Sequence, residues 1–260
     1  MTLGQKVVFL DIDGTILNSD KKIPIATKRA VNELQEAGVI VSIATGRAPF
    51  MFQDILEELN LKSYIGFNGQ YAVHNDDVIY QNPIETEQLE ELTTFSVKNN
   101  HPLVYQAVHD MRSNVSEHSH IEAGMNSLKR SHPLMDTEYY TKEKIYQALV
   151  FMEQDEQAMY EEAFKQLRFV RWHPFSCDVM PANGSKANGI ANFIKALNID
   201  WEDTYAFGDG LNDLEMIKKV HTGVALGNGV QEVKDAATLV TDHVDEDGLS
   251  KAMKKLGLIR

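Results

Sequence analysis

The sequence predicts an α/β fold, in which a core with a parallel sheet is interrupted by an inserted α+β domain. In the first and last thirds of the chain, short apolar runs ending in polar or glycine residues alternate with helix-like segments. This alternation is typical of right-handed βαβ units. Between residues 83 and 183 the alternation stops. We therefore predict a first core part at 1–82, an insert at 83–183 and a second core part at 184–260.

The first core part begins with the apolar run Val7–Leu10, which is typical of a strand buried on both faces of a parallel sheet. A helix is predicted from Pro24 to Gly38, because proline favours the first turn of a helix and glycine its end. The other elements predicted here are a strand at 39–44, a helix at 49–59 and a strand at 64–67.

The insert contains strand-like and helix-like segments in no regular order, which favours the α+β class. Its segment 110–140 is polar and weakly patterned, and no element is predicted there. The predicted helices of the insert are 87–97 and 154–167, and its strands are 103–108, 145–152, 169–173 and 176–180. The second core part is predicted to contain helices at 186–197, 214–217, 231–236 and 247–256 and strands at 204–207, 223–226 and 238–240.

Composition restricts the partners. The formal charge of −13 argues against nucleic acid, because duplex binding requires basic patches. No apolar run approaches the roughly 18 residues of a membrane span, and we see no secretory signal, so no membrane association is expected. The single cysteine, Cys177, excludes an internal disulfide and suits the reducing cytosol, which predicts a cytoplasmic protein. The oligomeric state is not predicted.

Three predicted strands end in residues that are capable of chemistry. Because parallel strands end at one edge of a sheet, these residues are expected to share a site. Carboxylates suit a hard cation, and Lys186, which opens a helix, can add positive charge for an anion. The alternatives are an ordinary turn at Asp11–Gly14 and a solvated Lys186. The strand-end residues are Asp11 and Asp13, Thr45 and Gly46, and Asp209 and Asp213.

Four segments resemble, in order, the motifs of the haloacid dehalogenase superfamily: Asp11–Thr15, Thr45–Arg47, Gly184–Lys186 and Gly208–Asp213. The insert follows Asn68-Gly69 and the third strand, as in the Cof-type branch of magnesium-dependent phosphatases. The resemblance implies a Rossmann-like core with an inserted cap domain, Mg²⁺ as the cofactor and a small phosphorylated metabolite as the substrate. Sugar phosphates, nucleotides and cofactor phosphates all remain open.

The resemblance also implies roles for individual residues. Asp11 is expected to attack phosphorus and form an aspartyl-phosphate, and Asp13 to act as general acid and base. Both carboxyl groups would point the same way if they lay two residues apart on a strand. The implied metal ligands are Asp11, the backbone carbonyl of Asp13, Asp209 and, directly or through water, Asp213. The implied phosphate contacts are Ile12, Thr45, Gly46, Lys186 and Asn212.

Two other functions use a similar site. A phosphomutase or phosphotransferase would transfer the phosphoryl group from the same intermediate to an organic acceptor, and the sequence discriminates poorly against it. A phospho-acceptor regulatory protein is disfavoured by Asp13 and by the inserted domain. That domain is expected to determine substrate choice. Its last strand pair, with Arg171, Trp172, His173, Phe175 and Asp178, is either a ligand surface or ordinary hairpin packing.

Overall fold

In the computed structural model, which describes residues 4–260, Val7–Leu10 forms strand β1 and is fully buried. Successive side chains of a strand point to opposite faces. Val8 and Leu10 therefore join one apolar cluster, and Val7 and Phe9 join another on the opposite face. Helices cover both faces, which is why this strand is an unbroken apolar run.

The chain divides into two units, each with its own sheet. The first unit comprises the chain up to Arg47, Phe52–Gln81 and Ser185–Arg260, and the second comprises Ala48–Met51 and Asn82–Gly184. Within residues 4–260, the eight strands of the first unit are ordered β13-β12-β11-β1-β2-β3-β4-β5. They are β1, β2 Ile40–Ala44, β3 Ser63–Gly66, β4 Tyr71–His74, β5 Asp77–Gln81, β11 Thr204–Gly208, β12 Thr222–Ala225 and β13 Leu239–Val240.

Helices pack on both sides of this sheet. They are α1 Ile25–Glu36, α2 Gln53–Glu58, α7 Lys186–Leu197, α8 Leu214–Lys219, α9 Gln231–Ala236 and α10 Gly248–Lys255. The cluster on the Val8 face includes buried residues of α1 and α10, and the cluster on the Phe9 face includes residues of α7, α8 and α9.

The second unit is an antiparallel sheet with helices. Its strand order is β7-β6-β8-β10-β9, and every neighbouring pair is antiparallel. Its strands are β6 Leu103–Gln106, β7 Met111–Ser113, β8 Gln147–Phe151, β9 Leu167–His173 and β10 Ser176–Pro181. Its helices are α3 Thr86–Lys98, α4 Ser119–Ser127, α5 Tyr139–Lys142 and α6 Gln157–Ala163. The predicted α/β class, with an α+β insert, is confirmed.

The sheet of the first unit is mixed rather than entirely parallel. Strands β4 and β5 extend the sheet beyond β3 by antiparallel pairing, and neither strand was predicted from the sequence. Their hairpin turns at Asn75 and Asp76, which both have positive φ, of 50° and 69°. Asparagine and aspartate tolerate this left-handed conformation best after glycine, so the Asn-Asp pair was the signal for the turn.

Three predictions need correction, two of helices and one of a segment that was left without elements. The helix predicted at 49–59 is broken at Phe52, where φ is −140°, into a 3₁₀ turn and the short α2. The helix predicted at 154–167 is a 3₁₀ turn at Gln154–Glu156 followed by the seven-residue α6, and it ends at Ala163. The segment 110–140 does contain elements, namely β7, α4 and the start of α5. Among the described residues, no helix has both the length and the apolar character needed to cross a bilayer.

Candidate active site

The predicted strand ends meet at one edge of the sheet. Strand β1 lies between β2 and β11, and Leu10 is paired with Ile43 on one side and Phe207 on the other. The residues that follow these strands, Asp11, Thr45 and Asp209, therefore come together. This is the edge at which open α/β sheets bind their ligands.

A buried ion triplet forms the centre of the site. The Nζ atom of Lys186 lies 2.5 Å from Oδ1 of Asp11 and 2.6 Å from Oδ1 of Asp213. Lys186 is 1% exposed and Asp213 is fully buried. Lys186 is thus a member of the site rather than a solvated helix residue, and its ammonium group is held between two carboxylates.

The start of α7 positions Lys186. Ser185 caps the helix, because its Oγ accepts a hydrogen bond from the backbone N–H of Asn188 at 3.2 Å. The helix approaches the Asn68-Gly69 turn so closely that a Cβ on Gly189 would lie 2.6 Å from the Cα of Gly69. Gly69 has φ +99°, a conformation that favours glycine. This close approach explains the glycines at both positions.

Asp213 shapes the loop that carries Asp209. While its Oδ1 contacts Lys186, its Oδ2 accepts hydrogen bonds from the backbone N–H groups of Asp209 and Gly210, each at 2.9 Å. Gly208 must be small, because a Cβ there would lie 2.6 Å from the Cβ of Asp213. Both oxygens of Asp213 are therefore already engaged within the protein.

Three carboxylates form a group that fits a metal ion. One oxygen from each of Asp11, Asp209 and Asp213 lies within 4.8 Å of the other two. Oxygen donors of this kind suit Mg²⁺ or another hard divalent cation. Among the described residues, Lys186 has the only cationic side chain within hydrogen-bonding distance of Asp11 or Asp213. The donor set thus matches the predicted metal site in its chemistry.

Excess negative charge changes the ionisation of these groups. Burial, and next the charge of Asp213, raise the pKa of Asp11 well above its ordinary value, although Lys186 opposes this. Burial and the charge of Asp213 also raise the pKa of Asp209 to about 6. For Lys186, burial lowers the pKa, but Asp11 and Asp213 outweigh it and raise the pKa above the ordinary value. A bound cation would relieve this excess.

Asp13 lies in a different environment from Asp11. Arg47 contacts it with two hydrogen bonds, Nε to Oδ2 at 2.9 Å and Nη2 to Oδ1 at 2.7 Å, and Lys21 donates to Oδ1 at 2.8 Å. Burial raises the pKa of Asp13, but the hydrogen bonds and charges of Arg47 and Lys21 outweigh burial and lower it. This arrangement fixes the carboxylate in a cationic clamp.

Asp13 does not lie on a strand with Asp11, contrary to the prediction. Strand β1 ends at Leu10, and the next residues form a tight turn in which the N–H of Leu17 donates to the carbonyl of Ile12 at 2.8 Å. Gly14, at φ +75°, bends this turn. The direction of Asp13 is therefore determined by the turn and by Arg47, and not by the alternation of a strand.

The predicted phosphate contacts line the same edge. Thr45 is buried, and its Oγ accepts a hydrogen bond from the N–H of Arg47 at 3.2 Å. A Cβ on Gly46 would lie 2.9 Å from Oδ1 of Asn68, the same atom that Asn212 approaches at 3.4 Å. Asn68 therefore lies beside both the Thr45–Arg47 motif and the Gly208–Asp213 motif. Ile12 follows Asp11 directly, and its side chain is fully buried.

The family model for haloacid dehalogenase-like hydrolases matches residues 8–253. The chain belongs to this family. The chain is 46% identical over 258 residues to the protein of Bacillus subtilis (strain 168) that is named phosphatase YkrA. The match covers 99% of this chain and 100% of the relative. The resemblance stated from the motifs is therefore confirmed, and the chain is a phosphatase of the haloacid dehalogenase family.

Solved structures agree with this assignment. The crystal structure of a hypothetical protein from Geobacillus kaustophilus HTA426 is 48% identical, with a TM-score of 0.94, and covers 98% of this chain and 100% of that one. The HAD subclass IIB sugar phosphatase BT4131 is 31% identical, with a TM-score of 0.87 and the same coverage. The family generally uses a divalent metal, and the acidic cluster is consistent with one.

Some residues of this phosphatase site were not predicted. Lys21 contacts Asp13, and Asn228 contacts Asp209 at 3.2 Å. The signal for Asn228 was the Gly-Asn-Gly sequence directly after a core strand, because β12 is another parallel strand that ends at the same edge. No comparable sequence signal pointed to Lys21, because its contact with Asp13 depends on how a polar loop turns.

The last strand pair of the second unit is at least partly structural. The guanidinium group of Arg171 donates to Oε1 of Gln157 at 2.9 Å and to the carbonyl of Pro174 at 2.7 Å. Phe175 stacks on His120 with ring centroids 4.3 Å apart. For Arg171, hairpin packing is therefore the better interpretation than direct recognition of a ligand.

Proposed function

We propose that the protein hydrolyses a small-molecule phosphate monoester with the help of Mg²⁺ and through an aspartyl-phosphate intermediate. The observation that carries this proposal is the buried triplet of Asp11, Lys186 and Asp213 beside Asp209. This proposal is supported by a carboxylate that would serve as the nucleophile, a fixed positive charge and a candidate cation site, which lie together at one sheet edge. Phosphoryl transfer depends mainly on such positioning and charge stabilisation.

The first chemical step would be attack of an Asp11 oxygen on phosphorus. The new bond is Asp11 O–P, and the bond that breaks is the one between phosphorus and the ester oxygen. The dianionic phosphate of a bound substrate would raise the pKa of Asp13, which Arg47 and Lys21 otherwise lower, and the protonated Asp13 would give its proton to that leaving oxygen. The ammonium group of Lys186, 2.5 Å from Asp11, both orients the nucleophile and stabilises the charge of the transferring group.

The second step would be hydrolysis of the aspartyl-phosphate. Asp13, now deprotonated, would take a proton from water while the water oxygen attacks phosphorus and Asp11 leaves. Thr45, the amides of Ile12 and Gly46, Asn212 and Lys186 would hold the phosphate oxygens in both steps. No single donor supplies the acceleration of such a slow reaction, so the complete set is required.

Asp11, Asp209 and the backbone carbonyl of Asp13 would hold the Mg²⁺ ion. Asp213, whose oxygens are hydrogen-bonded to Lys186 and to two backbone amides, would support this set directly or through water. When bound, Mg²⁺ supplies positive charge that offsets the repulsion between the carboxylates and a phosphate dianion.

The substrate class is supported by relatives. The YcsE protein of Bacillus subtilis, named 5-amino-6-(5-phospho-D-ribitylamino)uracil phosphatase, is 26% identical over 256 residues. BT4131 is described as a sugar phosphatase. Both names describe small phosphorylated compounds, and we propose a substrate of this size for the present chain.

The test is a panel of phosphate monoesters assayed with MgCl₂ and with chelator. We expect release of inorganic phosphate from at least one sugar, nucleotide or cofactor monoester, with water as the only acceptor and with loss of activity in chelator. If phosphate is released only when a second organic substrate is present, the phosphotransferase alternative is correct. If no monoester reacts with Mg²⁺ or Mn²⁺, the proposal is wrong.

Adding MgCl₂ should raise the melting temperature of the protein, and should do so more at pH 7.5 than at pH 5. The pKa of Asp209 is raised from 3.8 to about 6, so its charged form costs stability, and this cost appears as the pH rises through that range. A cation relieves the cost at pH 7.5 but competes with protons at pH 5. Thermal unfolding with and without MgCl₂ measures this, and equal shifts at both pH values would contradict it.

Replacing Arg47 by alanine should lower kcat by about 10–100-fold, because Asp13 loses its orientation. The pKa of Asp13 should rise, so the limb of the pH–rate profile that depends on it should move to higher pH. Stability should fall by at most about 1 kcal/mol, because the pair is partly exposed. This loss should be present above pH 3.8 and vanish in more acidic solution, since the folded-state pKa is lowered.

Arg112→Ala is the matched control for Arg47→Ala. Arg112 also pairs with an aspartate, Asp110, but it lies in the second unit. Its replacement should leave both kcat and the pH–rate profile unchanged. An Arg47→Ala protein with the wild-type profile would show that the clamp on Asp13 has no role in turnover.

A further inference from the structure

Asn228 connects three separate segments of the first unit. Its Nδ2 donates to the backbone carbonyl of Gly14 at 2.8 Å and to Oδ2 of Asp209 at 3.2 Å. Its Oδ1 accepts the backbone N–H of Val244 at 2.9 Å. One side-chain amide thus joins the turn after β1, the loop after β11 and the segment after β13.

Asp209 receives one side-chain donor on each carboxylate oxygen. The hydroxyl of Thr15 donates to Oδ1 at 3.0 Å, and Asn228 donates to Oδ2. A carboxylate held on both oxygens keeps one orientation. Each oxygen has a further lone pair, so these hydrogen bonds leave room for a cation.

The packing around this carboxylate is tight. A Cβ on Gly14 would lie 2.8 Å from Cγ of Asp209 and 3.0 Å from Nδ2 of Asn228. The turn that carries Asp11 and Asp13 is therefore in direct contact with Asp209 and Asn228. A shift of Asn228 would move the turn and the loop relative to each other.

We propose that Asn228 is a positioning residue of the metal site, which orients Asp209 and fixes the Asp11–Thr15 turn against it. This inference rests on the proposed cation site. Asn228 would not be a ligand, because the atom that faces Asp209 is Nδ2, which carries hydrogens, while its Oδ1 faces the N–H of Val244 instead. Partners that orient a metal ligand typically change metal affinity by about 10–100-fold when they are removed.

Two variants separate this role from simple loop packing. Asn228→Ala removes all three hydrogen bonds. Asn228→Asp keeps an acceptor for the N–H of Val244 but has no donor for Gly14 or Asp209. Its added negative charge would by itself attract a cation, so weaker Mg²⁺ binding in this variant reports the lost donor.

The experiment measures the binding of Mg²⁺ without substrate. The protein is titrated with MgCl₂ at pH 7.5, and binding is monitored by thermal unfolding and by calorimetry. We expect the apparent Kd for Mg²⁺ to rise about 10–100-fold in both variants. Asn192→Ala is the control, because that side chain donates to a backbone carbonyl of its own helix, Asn188 at 2.9 Å, and its Kd should equal that of the wild type.

The outcomes distinguish the inference from the function on which it depends. If the wild type does not respond to MgCl₂, the proposed cation site is wrong. If the wild type and Asn192→Ala bind Mg²⁺ but Asn228→Asp binds it as tightly or more tightly, the positioning role of Asn228 is wrong. If Asn228→Ala alone weakens binding, the contact with Val244 is responsible, and the inference is likewise overturned.

Discussion

Asp11→Asn should reduce turnover by a factor on the order of 10⁴ or more, as expected for loss of a nucleophile, while the protein stays folded. An amide oxygen can still accept the hydrogen bond of Lys186, but the amide is a poor nucleophile. The change also removes one of the crowded buried charges, since burial and the charge of Asp213 raise the pKa of Asp11. The melting temperature in chelator should therefore not fall.

Phosphate release and the mass of the protein after brief exposure to substrate measure this prediction. The wild type should gain the mass of one phosphoryl group on acid quench, and Asp11→Asn should not. Asp76→Asn is the matched control, because Asp76 is exposed in the β4–β5 turn and its nearest cation, Lys62, is 3.8 Å away. Near-normal turnover of Asp11→Asn would refute the assignment of Asp11 as nucleophile.

The core of the fold was predictable because its strands bury both faces. Val7–Leu10 needs apolar residues throughout, and this leaves a continuous run in the sequence. The β4–β5 hairpin was missed because β4 has only four residues, although three of them are buried, and β5, at the edge of the sheet, is largely exposed. In the second unit, α4 has only a narrow buried face, with Ile121, Gly124 and Met125, and a polar segment gave no sign of it.

The sequence was sufficient to predict that the candidate site residues lie together, but not which contacts they make. Sequence placed Asp11 and Asp209 at one edge because parallel strands end together. It could not show that Arg47 and Lys21 clamp Asp13, since these residues lie 34 and 8 positions away and their contacts depend on side-chain direction. Asn228 was missed for a different reason, because an asparagine in a glycine-rich loop is usually only a turn residue.

Lys186→Met should lower the free energy of unfolding at pH 7.5 by about 3–5 kcal/mol, the usual cost of leaving one partner of a buried ion pair alone. Methionine is similar in length, so packing is nearly kept, but Asp11 and Asp213 lose the ammonium group that lies 2.5 Å and 2.6 Å from them. Turnover should fall by about 10³-fold, because in the proposed reaction the same charge would stabilise the transferring phosphoryl group.

The pH dependence of this loss identifies its electrostatic origin. The pKa of Asp11 is already raised by burial and by Asp213, and removing Lys186, which lowers it, should raise it further. Asp11 in the variant should then take up a proton as the pH falls, so the stability lost at pH 7.5 should partly return at pH 5. Denaturant unfolding in chelator at both pH values measures this, since chelator prevents a cation from replacing the ammonium group. Lys195→Met is the control, because Lys195 is exposed on the last turn of the same helix. This substitution should change stability by only a few tenths of a kcal/mol. An equal loss of stability for Lys186→Met at both pH values would mean that packing, and not charge, holds Lys186 in place.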